Sequence, residues 1–176
     1  MPLINIIGPP GSGKSTLCTS LVERFGGKHL TIDAYRELAK SSFLNLSNPI
    51  KIEKSAWKKL KKDIKSLNNS IIFLETTGTS WQVKDIFQSL NDPVFTIKVL
   101  ANKKICLSRI EYRNLSNKEQ FEDTIDYILD KLKNIRSDIE IDTSELTIKE
   151  VLTSVTLSLI LFLEFGIQSN KIKENY

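Results

Sequence analysis

Residues 8–16 read GPPGSGKST, and their spacing is typical of a loop that binds nucleotide phosphates. Glycines allow backbone turns that side chains block, so successive N–H groups can point at phosphate oxygens. A helix that begins near Lys14 adds its positive N-terminal end. In this pattern the lysine ammonium contacts the β and γ phosphates, and the hydroxyl of Ser15 binds Mg²⁺. The predicted phosphate-binding residues are Gly8, Pro9, Pro10, Gly11, Ser12, Gly13, Lys14, Ser15 and Thr16.

Asp33 and Arg36 form a second candidate pair, one helical turn apart in the stretch TIDAYRELAK. This stretch overlaps the end of a predicted strand, and open α/β sheets bind ligands at the carboxyl ends of their strands. An aspartate there can accept the proton of an attacking hydroxyl, and Arg36 can hold an acceptor phosphate or neutralise charge. The alternatives are that Asp33 only caps a helix beginning at Ala34, and that Arg36 is a solvated surface arginine.

Length and composition predict one domain with an ordinary core. The chain has 176 residues, 40% of them hydrophobic, and its net charge of +4 is too small to indicate nucleic-acid binding by itself. Cys18 and Cys106 lie in no metal-ligand spacing, so we expect reduced thiols and a cytoplasmic location. The single histidine, His29, argues against a histidine-based metal site or catalytic triad. The N-terminus shows no signal-peptide pattern.

Short apolar runs alternate with helical periodicities along the chain. The predicted strands are residues 3–7, 28–32, 70–74, 94–100 and 138–141, and several are apolar on both faces, as buried parallel strands are. The predicted helices include residues 14–25, 49–67, 117–135 and about 147–166; the last two begin with capping-box patterns. Strands that alternate with helices imply right-handed crossovers. We therefore predict an α/β fold: one three-layer α/β/α sandwich over residues 1–176, with a five-stranded parallel sheet.

These motifs resemble those of the small P-loop kinases, in particular nucleoside monophosphate kinases and polynucleotide 5′-hydroxyl kinases. The resemblance rests on residues 4–18, on the Asp-x-x-Arg element at Asp33, and on two later stretches. FTIKVLANKKICLSRIEYRN is similar to the strand, helix and arginine-bearing lid of these kinases, and SDIEIDTSELTIKEVL to their last strand, nucleotide-base loop and closing helix. The resemblance extends to about residue 155. It implies a P-loop NTPase fold with a short lid at about residues 109–118.

The same resemblance implies further site residues. Arg109 and Arg113, four apart on a helix, would stabilise the transferring phosphoryl group from the lid; a solvated helix end is the alternative. Asp142 and Thr143 would begin the loop that lies against the nucleotide base. Glu75 stands where these kinases more often have an aspartate. It would approach Mg²⁺ through water or contact the acceptor, unless it is an edge-of-sheet carboxylate without a role.

The predicted activity is phosphoryl transfer from ATP, with Mg²⁺ bridging the phosphates. Kinases of nucleoside monophosphates place an arginine just after the third strand, whereas ETTGTSW has none. An alcohol acceptor instead needs a positioned carboxylate, and Asp33 is available. We therefore predict a hydroxyl acceptor in a small molecule, a nucleotide or a nucleic-acid end, with a nucleoside monophosphate as the alternative. A nucleotide-binding regulatory module with low NTPase activity is the alternative of another class.

Two stretches predict surfaces whose use the sequence leaves open. The lysines of residues 54–65 form either a solvated helix face or an electrostatic guide for an anionic partner. Residues 151–167 span 17 positions and carry serine, threonine and glutamate, so we expect a mostly buried terminal helix in preference to a membrane span. That helix is also a candidate contact in a homo-oligomer.

Overall fold

Seven helices and five strands make up the part of the chain that the computed structural model describes, residues 2–42, 48–67, 70–90, 92–113 and 118–165. The strands are β1 (Leu3–Ile7), β2 (Lys28–Thr31), β3 (Ile72–Thr76), β4 (Val94–Leu100) and β5 (Ile139–Asp142). The helices are α1 (Lys14–Phe25), α2 (Ile32–Ser42), α3 (Pro49–Ser66), α4 (Trp81–Gln88), α5 (Lys103–Tyr112), α6 (Lys118–Leu132) and α7 (Ile148–Phe165).

The five strands form one parallel sheet in the order β2-β3-β1-β4-β5. β1 lies at the centre, where Ile7 aligns with Thr76 of β3 and Lys98 of β4. Because the strands are parallel, their carboxyl ends meet at one edge, and the segments that follow β1, β2 and β5 start from that edge. The predicted parallel sheet is therefore confirmed, and its topology brings distant candidate residues to a common edge.

Helices cover both faces of the sheet. On one face, Ile4 and Phe73 of the sheet share a buried cluster with Leu17 of α1 and Leu159 of α7. On the other face, a second cluster joins the sheet to α2, α3 and α4, and Trp57 belongs to it with only 5% of its surface exposed. The three-layer arrangement is as predicted. Both clusters fix helices whose first turns carry candidate site residues.

Several predicted boundaries differ from the structure. β3 runs two residues later than predicted, so Glu75 lies inside the strand and Thr76 ends it. α2 begins at Ile32, which places Asp33 in the first helical turn, so the alternative that Asp33 only caps a helix beginning at Ala34 does not hold. The backbone N–H of Asp33 donates instead to the hydroxyl of Thr31 at 3.4 Å. Ser116 of one predicted capping box lies outside the described residues, and the single-domain assignment stays a prediction.

The start of α7 follows its predicted capping box. The backbone N–H of Thr147 donates to Glu150 at 2.8 Å, and the backbone N–H of Glu150 donates to the Thr147 hydroxyl at 3.4 Å. Farther along, Leu157 and Phe165 are 67% and 66% exposed, so α7 is less buried than predicted. Within the described residues, the helices lack the length and hydrophobicity that crossing a membrane requires. A homo-oligomer through α7 stays a prediction.

Candidate functional site

The loop between β1 and α1 packs so tightly that two of its glycines have no room for a side chain. A Cβ atom on Gly8 would lie 2.1 Å from the carbonyl oxygen of Val99, and one on Gly11 would lie 2.4 Å from that of Cys106. Gly11 also has a φ of +78°, a left-handed conformation that side chains disfavour. These contacts explain why the chain needs glycine at both positions. They reflect how closely the loop packs against β4 and α5.

Lys14, the first residue of α1, is 8% exposed, and its ammonium donates a hydrogen bond to the carbonyl oxygen of Pro9 at 2.8 Å. Burial lowers the pKa of Lys14, and the negative charges of Glu75 and Asp33 oppose that shift. The ammonium is therefore held inside the loop by one carbonyl and two nearby carboxylates. An anionic phosphate in the loop would satisfy this buried cation more fully.

Ser15, Glu75 and His29 form a chain of hydrogen bonds across α1, β3 and β2. The Ser15 hydroxyl donates to Oε1 of Glu75 at 2.8 Å, and Nε2 of His29 lies 2.8 Å from Oε2. Burial alone would raise the pKa of Glu75, but the hydrogen bond from His29, the Lys14 charge and the hydrogen bond from Ser15 together keep it below its usual range. A deprotonated carboxylate next to a serine hydroxyl is an oxygen donor set of the kind that Mg²⁺ prefers.

Asp33 and Arg36 are brought together, and Arg36 has a further partner that the sequence did not reveal. The Arg36 NH1 group donates to Asp33 at 2.7 Å, while its Nε and NH2 groups each donate to Glu53 of α3 at 2.8 Å. Glu53 also accepts from the indole N–H of Trp57 at 2.7 Å. Arg36 is therefore a bridge between α2 and α3, and Asp33 keeps an exposed carboxylate, 78% accessible.

Thr143 joins the phosphate loop to the helix that carries Arg109. Its hydroxyl donates to the Ser12 carbonyl at 2.8 Å, and the Arg109 guanidinium donates to the Thr143 hydroxyl at 3.0 Å and to its carbonyl at 2.7 Å. Arg109 also donates to the carbonyl of Gly11 at 3.3 Å. Arg109 is thus packed against the loop backbone in this structure. Its predicted contact with the transferring phosphoryl group stays a prediction.

The other residues predicted from the lid and the base loop have different surroundings. Arg113 ends α5 and is exposed, and residues 114–117 of the predicted lid lie outside the described residues. The Asp142 carboxylate accepts hydrogen bonds from the backbone N–H and hydroxyl of Ser144, which lower its pKa. Asp142 therefore shapes the turn after β5, and a contact with the base stays a prediction.

A cavity of about 600 Å³ opens beside these residues, between α1, α5 and the start of α7. Its lining includes Gly13, Thr16, Arg109, Thr143 and Leu146. The volume lies within the range of small-molecule sites. The cavity adjoins the phosphate loop through Gly13 and combines apolar walls with a guanidinium. The loop, the cavity and the Ser15–Glu75 pair therefore fit a nucleoside triphosphate and Mg²⁺, although the structure holds neither.

The helices that carry Trp81 and the lysines of residues 54–65, α4 and α3, pack on the face of the sheet opposite α1 and α7. Trp81, the first residue of α4, is 73% exposed. Among the α3 lysines, Lys61 forms an ion pair with Asp85 at 2.7 Å and Lys59 with Asp63 at 3.5 Å. These two pairs fit a solvated helix face. Binding of an anionic partner by the other lysines stays a hypothesis.

A protein-family model described as an AAA domain matches residues 3–136. The structure superposes on the shikimate kinase of Acinetobacter baumannii in complex with shikimate with a TM-score of 0.68, at 18% identity over 93% of this chain and 95% of that chain. A gluconokinase of Sinorhizobium meliloti gives a TM-score of 0.65 at 13% identity, over 95% and 98% of the two chains.

A deoxyadenosine kinase of M. mycoides with bound dATP gives a TM-score of 0.59 at 20% identity, over 90% of this chain and 99% of that chain. A search of curated protein sequences found no match. At such identities the structural neighbours establish the fold. The family match and the neighbours together confirm the predicted resemblance to the small P-loop kinases.

Proposed function

Since the chain belongs to the AAA domain family, we propose that it transfers the γ-phosphoryl group of ATP to a hydroxyl of a small molecule, a nucleotide or a nucleic-acid end. The observation that carries this proposal is the carboxylate of Asp33. It is exposed at the carboxyl edge of the sheet, it is held by Arg36 at 2.7 Å, and its charge acts on Lys14 in the phosphate loop. A fixed, exposed carboxylate beside that loop is suited to accept the proton of an attacking alcohol.

The remaining residues have distinct roles in this proposal. The phosphate loop binds the triphosphate through its N–H groups, and Lys14 stabilises the charge that grows between the β and γ phosphates. Ser15 and Glu75 would hold Mg²⁺, which neutralises phosphate charge when it is bound. Arg109 orders the loop through Thr143, and Arg113, which follows α5, would approach the phosphates from the lid.

The neighbours and the state of Arg36 support a hydroxyl acceptor over a nucleoside monophosphate. Shikimate, gluconate and deoxyadenosine, the compounds after which the neighbours are named, carry hydroxyl groups and no phosphate. Arg36 donates to Asp33 and, through two N–H groups, to Glu53. A phosphate clamp at Arg36 would have to break the paired contact with Glu53, which costs part of the binding energy.

Asp33→Asn tests the proposal because Asn keeps the size of the side chain but cannot take up the proton. Phosphorylation of an alcohol should fall by about 10²–10⁴-fold, while ATP affinity and melting temperature change little because the side chain is exposed. Glu37→Gln is the matched control, since Glu37 is another exposed acid of α2, in contact with Lys40. The acceptor is found first, by screening nucleosides, mononucleotides, oligonucleotide ends and sugar alcohols with γ-labelled ATP.

The outcomes separate the candidate functions. Full activity of the Asp33→Asn protein on an alcohol would refute the proposed base. A modest loss that appears as weaker acceptor binding would favour a nucleoside monophosphate. ATP hydrolysis that needs a protein partner, without any phosphorylated acceptor, would favour a regulatory module.

A further inference from the structure

Three side chains from three separate elements form a cluster beside the phosphate loop. Cys18 of α1, His29 of β2 and Glu75 of β3 each offer one ligand atom, and no two of these atoms are more than 4.8 Å apart. Cys18 is fully buried, and the His29 and Glu75 side chains are 24% and 8% exposed. We propose that these residues form a binding site for a divalent cation of the zinc type, and that this site shares Glu75 with the predicted Mg²⁺ site.

The donor set selects the class of cation. Sulfur and imidazole nitrogen together with one carboxylate oxygen are ligands of Zn²⁺ and Co²⁺, whereas Mg²⁺ takes oxygen ligands. Three protein ligands with one open position are also the usual composition of a catalytic zinc site, in contrast to the four protein ligands of a structural one. A site of this kind is distinct from a pure oxygen site at Ser15.

The distances need only small adjustments to reach metal coordination. Tetrahedral bonds of about 2.0–2.3 Å place ligand atoms about 3.3–3.8 Å from one another. The pair formed by His29 and Glu75, now at 2.8 Å, would open slightly, and the widest separation, 4.8 Å, would close by about 1 Å. Rotations of the three side chains can supply such shifts.

A divalent cation could reach the cluster from solvent, and the ligands could balance its charge. β2 is the edge strand of the sheet, and the partly exposed His29 gives a route from solvent. When the cation binds, a metal–sulfur bond forms and the thiol proton of Cys18 leaves to solvent, so the thiolate and Glu75 together offset the divalent charge. Burial and the Glu75 charge raise the pKa of the Cys18 thiol, and the Lys14 ammonium opposes that shift, so the bound cation has to displace the thiol proton. The Lys14 ammonium itself is bonded to the carbonyl of Pro9.

Because the proposed cation site shares Glu75 with the predicted Mg²⁺ site, a bound zinc-type cation should affect Mg²⁺ binding; this expectation rests on the proposed function. The carboxylate holds Ser15 through Oε1 and faces His29 through Oε2. A zinc-type cation on Oε2 withdraws negative charge from the carboxylate, so Mg²⁺ near Ser15 should be held less firmly. The concentration of Mg²⁺ that gives half-maximal ATP turnover should therefore rise when the second cation is present.

Cobalt titration tests the site without ATP or an acceptor. Co²⁺ added to the metal-free, reduced protein should produce a thiolate-to-cobalt absorption band with one ion per chain. Cys18→Ala should abolish the band, and His29→Gln should weaken cobalt binding by at least about tenfold. Cys106→Ala is the matched control, because Cys106 is the other free, buried cysteine and belongs to a different cluster. Melting temperatures check that each variant is folded.

His29→Gln also serves as a second variant should Cys18→Ala fail to fold, because His29 lies on the half-exposed edge of the sheet. A folded wild-type protein without the cobalt band would overturn the site, and so would a band that survives Cys18→Ala but is lost in Cys106→Ala. Cobalt binding that leaves the Mg²⁺ requirement of ATP turnover unchanged would overturn the sharing of Glu75. Failure to find any phosphoryl acceptor would sink the proposed function and leave the cobalt result intact.

Discussion

Replacing Thr143 by valine tests whether the turn after β5 orders the phosphate loop. Thr143 is 5% exposed, and its hydroxyl donates to Ser12 at 2.8 Å while it accepts from Arg109 at 3.0 Å. Valine has almost the same shape, so it leaves no cavity but removes these two hydrogen bonds and the contact of the hydroxyl with the Leu100 carbonyl at 3.1 Å. The change therefore isolates the contribution of one hydroxyl group to the loop.

The expected loss in the free energy of unfolding depends on the hydrogen bonds that remain after the substitution. A buried hydrogen-bonding group that loses its partner costs about 1–3 kcal/mol. Arg109 keeps the Thr143 carbonyl at 2.7 Å and the Gly11 carbonyl at 3.3 Å. The Leu100 carbonyl keeps the backbone N–H of Thr143 at 2.8 Å, so the main loss falls on the Ser12 carbonyl. We therefore expect the lower part of that range, about 1–2 kcal/mol. For a chain of this size such a loss lowers the melting temperature by about 2–8 °C.

Melting curves and ATP titration calorimetry measure the two consequences. If disorder in the loop reduces the binding free energy of ATP by about 1.4 kcal/mol, the ATP affinity should fall by about tenfold. Thr143→Ser is the control, because it keeps the hydroxyl and removes only a methyl group. If Thr143→Val matches the wild type in both melting temperature and ATP affinity, the turn does not order the loop and the reasoning is refuted.

Three further expectations concern Lys14 and Glu53. Lys14→Ala should lower the phosphoryl-transfer rate by about 10²–10³-fold in a folded protein, measured by steady-state kinetics; near-normal turnover would exclude this loop as the catalytic site. Burial lowers the pKa of Lys14, and bound phosphates favour its ammonium form, so ATP binding should take up a proton. Calorimetry should show that ATP affinity falls as pH rises toward 10.5. The affinity of Lys14→Arg should depend less on pH. The hydrogen bond from Arg36 holds the pKa of Glu53 below 4.5. The stability that Glu53 contributes is therefore present above pH 4.5 and is lost as pH falls through the pKa of the folded state. Melting temperatures of Glu53→Gln measured against pH should lack that loss.

The fold and the phosphate loop were predictable because their signals are local. The spacing of Gly8, Gly13 and Lys14 lies within a few residues, and the apolar runs of the five strands are short and continuous. Parallel pairing then follows from the alternation with helices. The position of Asp33 was less predictable, because moving the start of α2 by one residue changes Asp33 from a capping residue to a residue of the first turn. In the structure the hydroxyl of Thr31 accepts the backbone N–H of Asp33 at the start of α2.

Contacts between distant segments could not be read from the sequence. Glu53 lies 17 positions after Arg36, and His29 lies 46 positions before Glu75, yet each pair is in direct contact at 2.8 Å. For Thr143 a contact with the nucleotide base stays a prediction, and the sequence did not reveal that its hydroxyl bonds to Ser12, 131 positions away. The spacing of residues along the chain does not indicate these contacts, because they depend on which strands are neighbours in the sheet.

Glu75 connects most of these observations. The resemblance to small P-loop kinases favours an aspartate at this place, and an aspartate is shorter by one methylene group. The longer side chain lets one carboxylate reach Ser15 of α1 with one oxygen and His29 of β2 with the other, both at 2.8 Å. An aspartate on the same backbone could not span both contacts without moving a strand. The glutamate and the single histidine of the chain are therefore best understood as one unit, in which His29 fixes the side chain that faces the predicted Mg²⁺ site. The same unit, with Cys18 behind it, supplies the ligands of the proposed second cation site.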